Sequence, residues 1–146
     1  MNDCVAEKLP FVLFIVDDDD VAVEGVMRSL AKSGIQCDTM VATDGLEALE
    51  ILRGEHPEKT ITGPFLVLMD LNMPRMDGFE FLDALRADKR LHQSVVFVLT
   101  TSSRDADRSR AYDGNIAGYM VKSAVGPQFS RLASFLARYA DAVRLP

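Results

Sequence analysis

Short apolar runs alternate along this chain with longer segments in which apolar residues recur every three or four positions. The runs FVLFIV, FLVLM and VVFVL, at 11–16, 65–69 and 95–99, contain no polar residue, which is typical of strands covered on both faces. IQCDTMVA at 35–42 alternates and IAGYMV at 116–121 is interrupted by a glycine, which favours less buried edge strands. Strands that alternate with helical segments predict an α/β fold with a parallel sheet.

Helical periodicity predicts five helices between and after these strands. The first and last carry apolar stripes that we expect in the core: Val23, Val26, Met27 and Leu30 in one, and Phe129, Leu132, Leu136, Tyr139 and Val143 in the other. Segments 45–53, 79–90 and 104–112 predict the other three, and Pro127 stands where the last helix can begin. The expected strand order is 2-1-3-4-5, so that the sheet is doubly wound and has helices on both faces.

The chain of 146 residues has the length of one domain with its own hydrophobic core. We expect residues 1–8 to be a leader, 9–146 to form the domain, and the turn-rich segment 54–64 to be a surface loop. His56 and His92 are expected to be surface histidines.

Charge and composition narrow the classes of function. The 16 basic residues are outnumbered by 22 acidic ones, which argues against the basic surface that direct nucleic-acid binding needs. The apolar runs are too short for a membrane span or a signal peptide, so we expect a cytoplasmic protein with no membrane partner. The two cysteines, Cys4 and Cys37, lack metal-binding spacing and are expected to be reduced thiols.

Polar side chains stand where the predicted strands end. Asp17 and Asp18 follow the first strand, Asp70 follows the third, Thr100 ends the fourth and Lys122 follows the fifth. The carboxyl ends of parallel strands meet at one edge of the sheet, where ligands bind in open α/β folds. We therefore expect three carboxylates, a hydroxyl and an ammonium to converge at this edge.

This set of groups has a coherent chemical use. Clustered carboxylates with a backbone carbonyl suit Mg²⁺, and an aspartate can accept a phosphoryl group as an acyl phosphate. Mg²⁺, a lysine and a hydroxyl could stabilise the charge on the transferring oxygens. The sequence contains no glycine-rich phosphate loop, which argues against nucleotide binding.

The segments VDDDD, LVLMDLNMPRMDGFEFL, VFVLTTS and GYMVKS together resemble the receiver domain of bacterial two-component response regulators. The resemblance covers roughly residues 9–144 and implies a flavodoxin-like fold. It implies that Asp70 is the phosphoacceptor, that Asp17 and Asp18 hold Mg²⁺ together with Asp70, and that Lys122 contacts the phosphoryl group.

The resemblance also assigns three further roles. Asn72 would lend its backbone carbonyl to the metal, Thr100 would be the switch hydroxyl, and Tyr119 would be the aromatic residue whose rotamer follows the switch. Asp19 would instead cap the first helix, and Asp20 would be solvated.

The family's mechanism implies a signalling switch rather than a metabolic enzyme. A sensor histidine kinase or a histidine phosphotransfer protein would donate to Asp70, and the surface of helix four, strand five and helix five would change shape. The segment from 99 to 123 is more specifically similar to stand-alone regulators associated with phytochrome-like kinases. Some of these dimerise through helices four and five, so a homodimer is an expectation, as is the lack of an output domain.

Two residues depart from the common family pattern. Ser123 replaces the proline that usually follows the lysine, and because a cis bond without proline costs about 3–4 kcal/mol, we expect this bond to be trans. Thr101 is larger than the usual residue after the switch threonine, and could narrow the access to Asp70.

Two other functions remain open at this stage. One is a pseudo-receiver that binds partners but does not switch, although such proteins usually lose one of the site residues. The other is a Mg²⁺-dependent phosphatase with an aspartyl-phosphate intermediate, which would carry an aspartate in place of Asn72.

Overall fold

A five-stranded parallel sheet runs through the middle of the molecule. The structure is a computed structural model, and it describes residues 7–125 and 129–146. The strands are β1 Glu7–Lys8, β2 Val12–Val16, β3 Ile35–Gln36, β4 Thr39–Ala42, β5 Phe65–Met69, β6 Val95–Thr100 and β7 Gly118–Val121. The helices are α1 Asp20–Lys32, α2 Gly45–Leu52, α3 Gly78–Ala87, α4 Asp105–Asp113 and α5 Leu132–Ala142.

The order of the large sheet is β4-β2-β5-β6-β7, with every pair parallel. This is the predicted order 2-1-3-4-5 for its five strands, and the doubly wound flavodoxin-like α/β fold is confirmed. The central strands are apolar throughout because both of their faces are covered. Phe14 and Val16 face the core under α2 and α3, whereas Leu13 and Ile15 face the core under α1 and α5.

A second, two-stranded sheet lies beside the N-terminal part of the domain. In it β1 pairs with β3, so that the predicted strand at 35–42 is in fact two short strands separated by Cys37 and Asp38. Leu9 is buried and its N–H donates to the carbonyl of Gln36. The end of the predicted leader therefore belongs to the fold.

The apolar stripes of the first and last helices are buried only in part. Val26, Leu30, Leu132 and Leu136 lie in the core as predicted, but Met27 and Val143 are 37% and 38% exposed. Met27 is exposed because α1 packs through Ala22, Val26, Ser29 and Leu30, which places Met27 at the margin of that face. Val143 follows α5 in extended backbone and leaves the face of the helix.

Two helix boundaries differ from the prediction by more than one residue. Pro127 lies outside the described residues, and α5 begins at Leu132, after Phe129, whose φ of 56° is incompatible with a continuing helix. The Phe129 carbonyl accepts a hydrogen bond from Ser29 Oγ, which attaches the start of α5 to α1. Helix α3 ends at Ala87 instead of residue 90, because Asp88 has extended backbone. Within the described part of the chain, no helix has the length and apolarity that crossing a membrane requires.

Candidate metal and phosphoryl site

Three carboxylates meet at the carboxyl edge of the two central strands. Asp17 and Asp18 follow β2, and Asp70 follows β5. Because Val16 pairs with Met69, the two strands end side by side, and the Asp70 N–H donates to the Val16 carbonyl over 2.9 Å. One oxygen from each carboxylate lies within 4.8 Å of the other two. The predicted convergence of these aspartates is confirmed.

Asp17 and Asp70 are buried, whereas Asp18 faces the solvent. Three like charges this close repel each other, by roughly 3 kcal/mol or more for each pair at an effective dielectric near 20. Hard carboxylate oxygens of this number, open to water on one side, fit Mg²⁺ or a similar cation that keeps part of its water shell. The donor set therefore fits a divalent metal.

Lys122 supplies a fixed cation at the same place. Its backbone N–H donates to the Thr100 carbonyl over 2.7 Å, and its Nζ lies 3.1 Å from Asp17 Oδ2 and 3.3 Å from Asp70 Oδ2. Burial favours a lower pKa for Lys122, but the two carboxylates outweigh burial and raise the pKa above its ordinary value. Lys122 is therefore held charged.

The pKa of Asp17 is also raised, although a lysine contacts it. Burial is the main cause and the negative charge of Asp70 adds to it, while the Asp19 N–H and Lys122 act in the opposite direction. The charged form of Lys122 is favoured because two carboxylates face it. The charged form of Asp17 is disfavoured because Asp17 is buried and shares a single ammonium with Asp70. One lysine does not neutralise this cluster, and a further cation would be bound favourably.

The side chains of Thr100 and Tyr119 both form hydrogen bonds with the backbone of Ser102. Thr100 is fully buried at the end of β6, and its Oγ1 accepts a weak hydrogen bond from the Ser102 N–H over 3.4 Å. The Tyr119 hydroxyl donates to the Ser102 carbonyl over 2.9 Å. Ser102 Oγ in turn donates to Asp107 of α4 over 2.7 Å. The Ser102 backbone thus connects both predicted switch residues to α4, and the sequence analysis did not identify Ser102.

The loop after Asp70 is held close to that residue. The Leu71 N–H donates to Asp70 Oδ1 over 2.7 Å, and the Gly78 N–H donates to the Leu71 carbonyl over 2.9 Å. A Cβ at Gly78 would lie 2.6 Å from the Asp70 carbonyl oxygen, so that only glycine allows α3 to begin this near the site. Asn72 is exposed in this loop, two residues after Asp70.

A second acidic residue near this loop was missed by sequence reasoning. Asp44 is buried at the start of α2 and accepts two hydrogen bonds from the guanidinium of Arg75. An Asp-Gly pair before a helix was a signal for a helix cap, and Asp44 does cap α2 through the Glu47 N–H. Its partner 31 residues away could not be read from the sequence.

Four further predictions concern residues that adjoin the site in the sequence. Asp19 caps α1 and Asp20 is exposed, as predicted. The Lys122–Ser123 peptide bond is trans, also as predicted. Thr101 is exposed, which leaves its effect on access to Asp70 a prediction.

The prediction of a surface histidine is correct for His92 and wrong for His56. The His56 side chain is only 12% exposed, and its Nε2 lies 3.2 Å from Glu47 Oε2. Its Nδ1 accepts hydrogen bonds from the N–H groups of Glu58 and Lys59. The ring is mostly covered and holds the turn after α2 through these contacts, which its position in a polar loop did not indicate.

Comparison with known proteins places this geometry in a family. Residues 13–132 match the family described as the response regulator receiver domain. A probable methanogenesis regulatory protein, FilR2 of Methanothrix harundinacea, is 33% identical over 121 residues, which cover 83% of this chain and 77% of FilR2. Response regulator Rcp1 of Synechocystis is 32% identical over 114 residues, 78% of each chain.

Two solved structures resemble this one over nearly their full lengths. The phosphorylated cyanobacterial phytochrome response regulator RcpA has a TM-score of 0.82 and 30% identity, and the match covers 93% of this chain and 98% of RcpA. The Mn²⁺-bound form of response regulator Rcp1 has a TM-score of 0.81 and 28% identity, with 94% and 99% covered. The resemblance to phytochrome-associated regulators is thereby confirmed, and the chain belongs to the response regulator receiver domain family.

Proposed function

We propose that this receiver domain accepts a phosphoryl group on Asp70 from a phosphohistidine, with Mg²⁺ held by Asp17, Asp18, Asp70 and the Asn72 carbonyl. The observation that carries the proposal is the group of three carboxylates within 4.8 Å, two of which contact Lys122. A structural ion pair would need only one carboxylate for one lysine. The excess negative charge at a strand edge is what a site for a cation and a phosphoryl group requires.

The transfer would form one bond and break another. A carboxylate oxygen of Asp70 attacks phosphorus, the bond from phosphorus to the histidine nitrogen breaks, and that nitrogen keeps the electron pair and takes a proton from water. When bound, Mg²⁺ supplies charge neutralisation for the phosphoryl oxygens.

The side chains of this chain have distinct tasks in that step. Lys122 lies 3.3 Å from Asp70 Oδ2 and holds that carboxylate in place before the transfer. The same ammonium would contact a phosphoryl oxygen afterwards, which stabilises the product. Leu71 N–H, on Asp70 Oδ1, fixes the rotation of the carboxylate.

Phosphorylation would act on a surface through Thr100. Its hydroxyl is held weakly by the Ser102 N–H, so it could turn to a phosphoryl oxygen with little loss. Release of that N–H would loosen the loop whose carbonyl binds Tyr119 and whose Ser102 side chain binds α4. We infer that the face formed by α4, β7 and α5 changes its conformation when Asp70 is phosphorylated.

The partners belong to the same proposal. A sensor histidine kinase or a phosphotransfer protein would be the donor, and the likeness to the phytochrome response regulator RcpA favours a phytochrome-like kinase. The Mn²⁺-bound form of response regulator Rcp1 supports the proposal that this chain also binds a divalent metal. Homodimer formation through α4 and α5 and action in the cytoplasm complete the proposal.

Phosphotransfer from a phosphorylated histidine phosphotransfer protein tests the proposal. The wild type should gain label only with Mg²⁺ present, Asp70→Asn should gain none, and Asp20→Asn, which alters an exposed aspartate of the same acidic run, should behave as the wild type. If the wild type and both variants gained no label and the wild type bound no Mg²⁺, the pseudo-receiver would be favoured. Rapid hydrolysis of unrelated phosphate esters would favour the phosphatase.

A further inference from the structure

The loop between β5 and α3 is attached to the start of α2 at two adjacent points. Arg75 Nε lies 2.6 Å from Asp44 Oδ2, and the second guanidinium contact, to Asp44 Oδ1, is 3.1 Å. One residue further along each segment, the Gly45 N–H donates to the Met76 carbonyl over 3.0 Å. The paired contacts fix the relative position of the two segments.

Both segments have backbone features that serve this attachment. Arg75 has a φ of 62°, a left-handed conformation that is unfavourable for a residue with a side chain. A Cβ at Gly45 would lie 2.7 Å from Met76 Cγ and 3.0 Å from the Met76 carbonyl oxygen, so the close approach requires glycine. Asp44 is buried, with its side chain 4% exposed, and a buried carboxylate is stable only when it is paired.

The attachment lies in the same loop as Asn72. Asp70 precedes this loop and the α3 cap Asp77 ends it, so both ends are fixed by strand and helix. In the middle of the loop, the Arg75 side chain and the Met76 carbonyl both contact the start of α2. Without this contact, Arg75 could leave its left-handed conformation, and the peptide of Asn72, three residues earlier, would lose a defined orientation.

We infer that the Arg75–Asp44 ion pair is a positioning element that orients the Asn72 carbonyl toward the cation. This inference rests on the proposed function, because it requires a cation at Asp17, Asp18 and Asp70. The Arg75 guanidinium contacts Asp44, whereas the ammonium at Asp17 and Asp70 is that of Lys122, so Arg75 is a positioning residue and not a catalytic one. Loss of Arg75 should lower the affinity for the metal and leave the rate of the transfer step unchanged once the metal is bound.

Arg75→Gly separates this role from a contribution to stability. Removing the ion pair costs some stability, but glycine relieves the left-handed backbone and Asp44 keeps its hydrogen bond from the Glu47 N–H, so the domain should remain folded while the Mg²⁺ dissociation constant rises. We expect a rise of about 3- to 10-fold, which is less than the roughly 10- to 100-fold effect of losing a group that contacts a metal ligand directly. At saturating Mg²⁺ the phosphorylation rate should return to that of the wild type.

Asn115→Gly is the matched control, because Asn115 also has a left-handed φ, of 59°, but lies between α4 and β7. Its Mg²⁺ affinity, measured by calorimetry, should equal that of the wild type. Asp44→Asn, which retains a helix-capping side chain, should weaken Mg²⁺ binding as Arg75→Gly does. Arg75→Lys should recover part of the affinity.

The outcomes distinguish the inference from the proposed function. Wild-type affinity in both Arg75→Gly and Asp44→Asn would overturn the positioning role and leave the proposed function intact. A rate that stays low at saturating Mg²⁺ would also overturn it. If the wild type itself bound no Mg²⁺, the proposed function would fail, and the positioning role with it.

Discussion

Lys122→Met should destabilise the metal-free domain and increase the stabilisation that it gains from Mg²⁺. The substitution keeps much of the apolar length of the side chain but removes the only ammonium that contacts both Asp17 and Asp70 among the described residues. The lysine and a bound cation compete for the same carboxylates. Loss of one therefore strengthens the binding of the other.

The distances give the size of the effect. At 3.1 and 3.3 Å, and with an effective dielectric near 20, each contact provides about 5 kcal/mol of attraction, most of which is offset by the cost of burying the charges. Removing one partner of a buried pair costs about 3–5 kcal/mol, and we expect about 3 kcal/mol here, because Asp18 and one side of the site face water. A cation at 100 times its dissociation constant returns about 2.7 kcal/mol.

Urea unfolding, followed by circular dichroism, measures both quantities, in EDTA and over a Mg²⁺ series. The exposed Lys89 supplies a control, and Lys89→Met should change the free energy of unfolding by less than about 0.5 kcal/mol in either condition. The reasoning would be refuted if Lys122→Met were as stable as the wild type in EDTA. A smaller Mg²⁺ response in Lys122→Met than in the wild type would also refute it.

Three further predictions concern single residues. Burial raises the pKa of Asp17 in the folded state. The stability that Asp17 contributes is therefore present below pH 3.8 and is lost as the pH rises through the folded-state pKa. Asp17→Asn should raise the melting temperature of the metal-free domain at pH 7 and abolish its stabilisation by Mg²⁺. Burial would raise the pKa of Glu47 too, but the Thr43 N–H, His56 and Lys59 hold it below its ordinary 4.5. Stability from Glu47 is thus present above pH 4.5 and lost below it, and Glu47→Gln should flatten urea midpoints between pH 5.5 and 3.5. Arg86 donates to four backbone carbonyls beyond α3, so Arg86→Met should cost about 2–4 kcal/mol in urea unfolding, and the exposed Arg90→Met far less.

Each of these has a clear contrary result. A lower metal-free melting temperature for Asp17→Asn would mean that its ion pair with Lys122 outweighs its burial. An unchanged pH profile in Glu47→Gln would remove Glu47 from the acid response. Equal losses in Arg86→Met and Arg90→Met would show that the four carbonyl contacts are replaced by water at no cost.

The convergence of side chains at the candidate site could be predicted from the sequence, because it depends on where the strands end. Asp17, Asp70, Thr100 and Lys122 each terminate or follow an apolar run, and parallel pairing brings such positions to one edge whatever the loops do. The apolar runs also distinguished the three inner strands from the two edge strands, because only the inner strands are continuous apolar runs. These inferences needed only the apolar runs and the direction of the chain.

Contacts made by loops could not be predicted in the same way. The Asp44–Arg75 pair joins residues 31 apart, and it depends on a left-handed Arg75 that the sequence PRMDG does not specify. The burial of His56 depends on a turn in which Glu58 and Lys59 donate to its ring. Nothing in the polarity of those residues distinguishes such a turn from a solvated loop.

The start of α5 lies later in the chain than the apolar stripe predicted, for a related reason. A proline favours the first turn of a helix, but Phe129 packs against Gly25, with its ring carbon only 2.8 Å from where a Cβ at Gly25 would lie. Phe129 has a left-handed φ of 56°, and α5 begins at Leu132. The sequence pattern does not reveal this contact between distant segments.

The measurement that tests the central claim most directly is chemical trapping of the phosphorylated residue. Borohydride reduces an aspartyl phosphate to homoserine, which peptide mass spectrometry then locates in the chain. After incubation with a small phosphodonor and Mg²⁺, homoserine should be found at position 70, and it should be absent without Mg²⁺. Homoserine at another aspartate, or none in a protein that binds Mg²⁺ with its fold intact, would contradict the assignment of Asp70 as the phosphoacceptor.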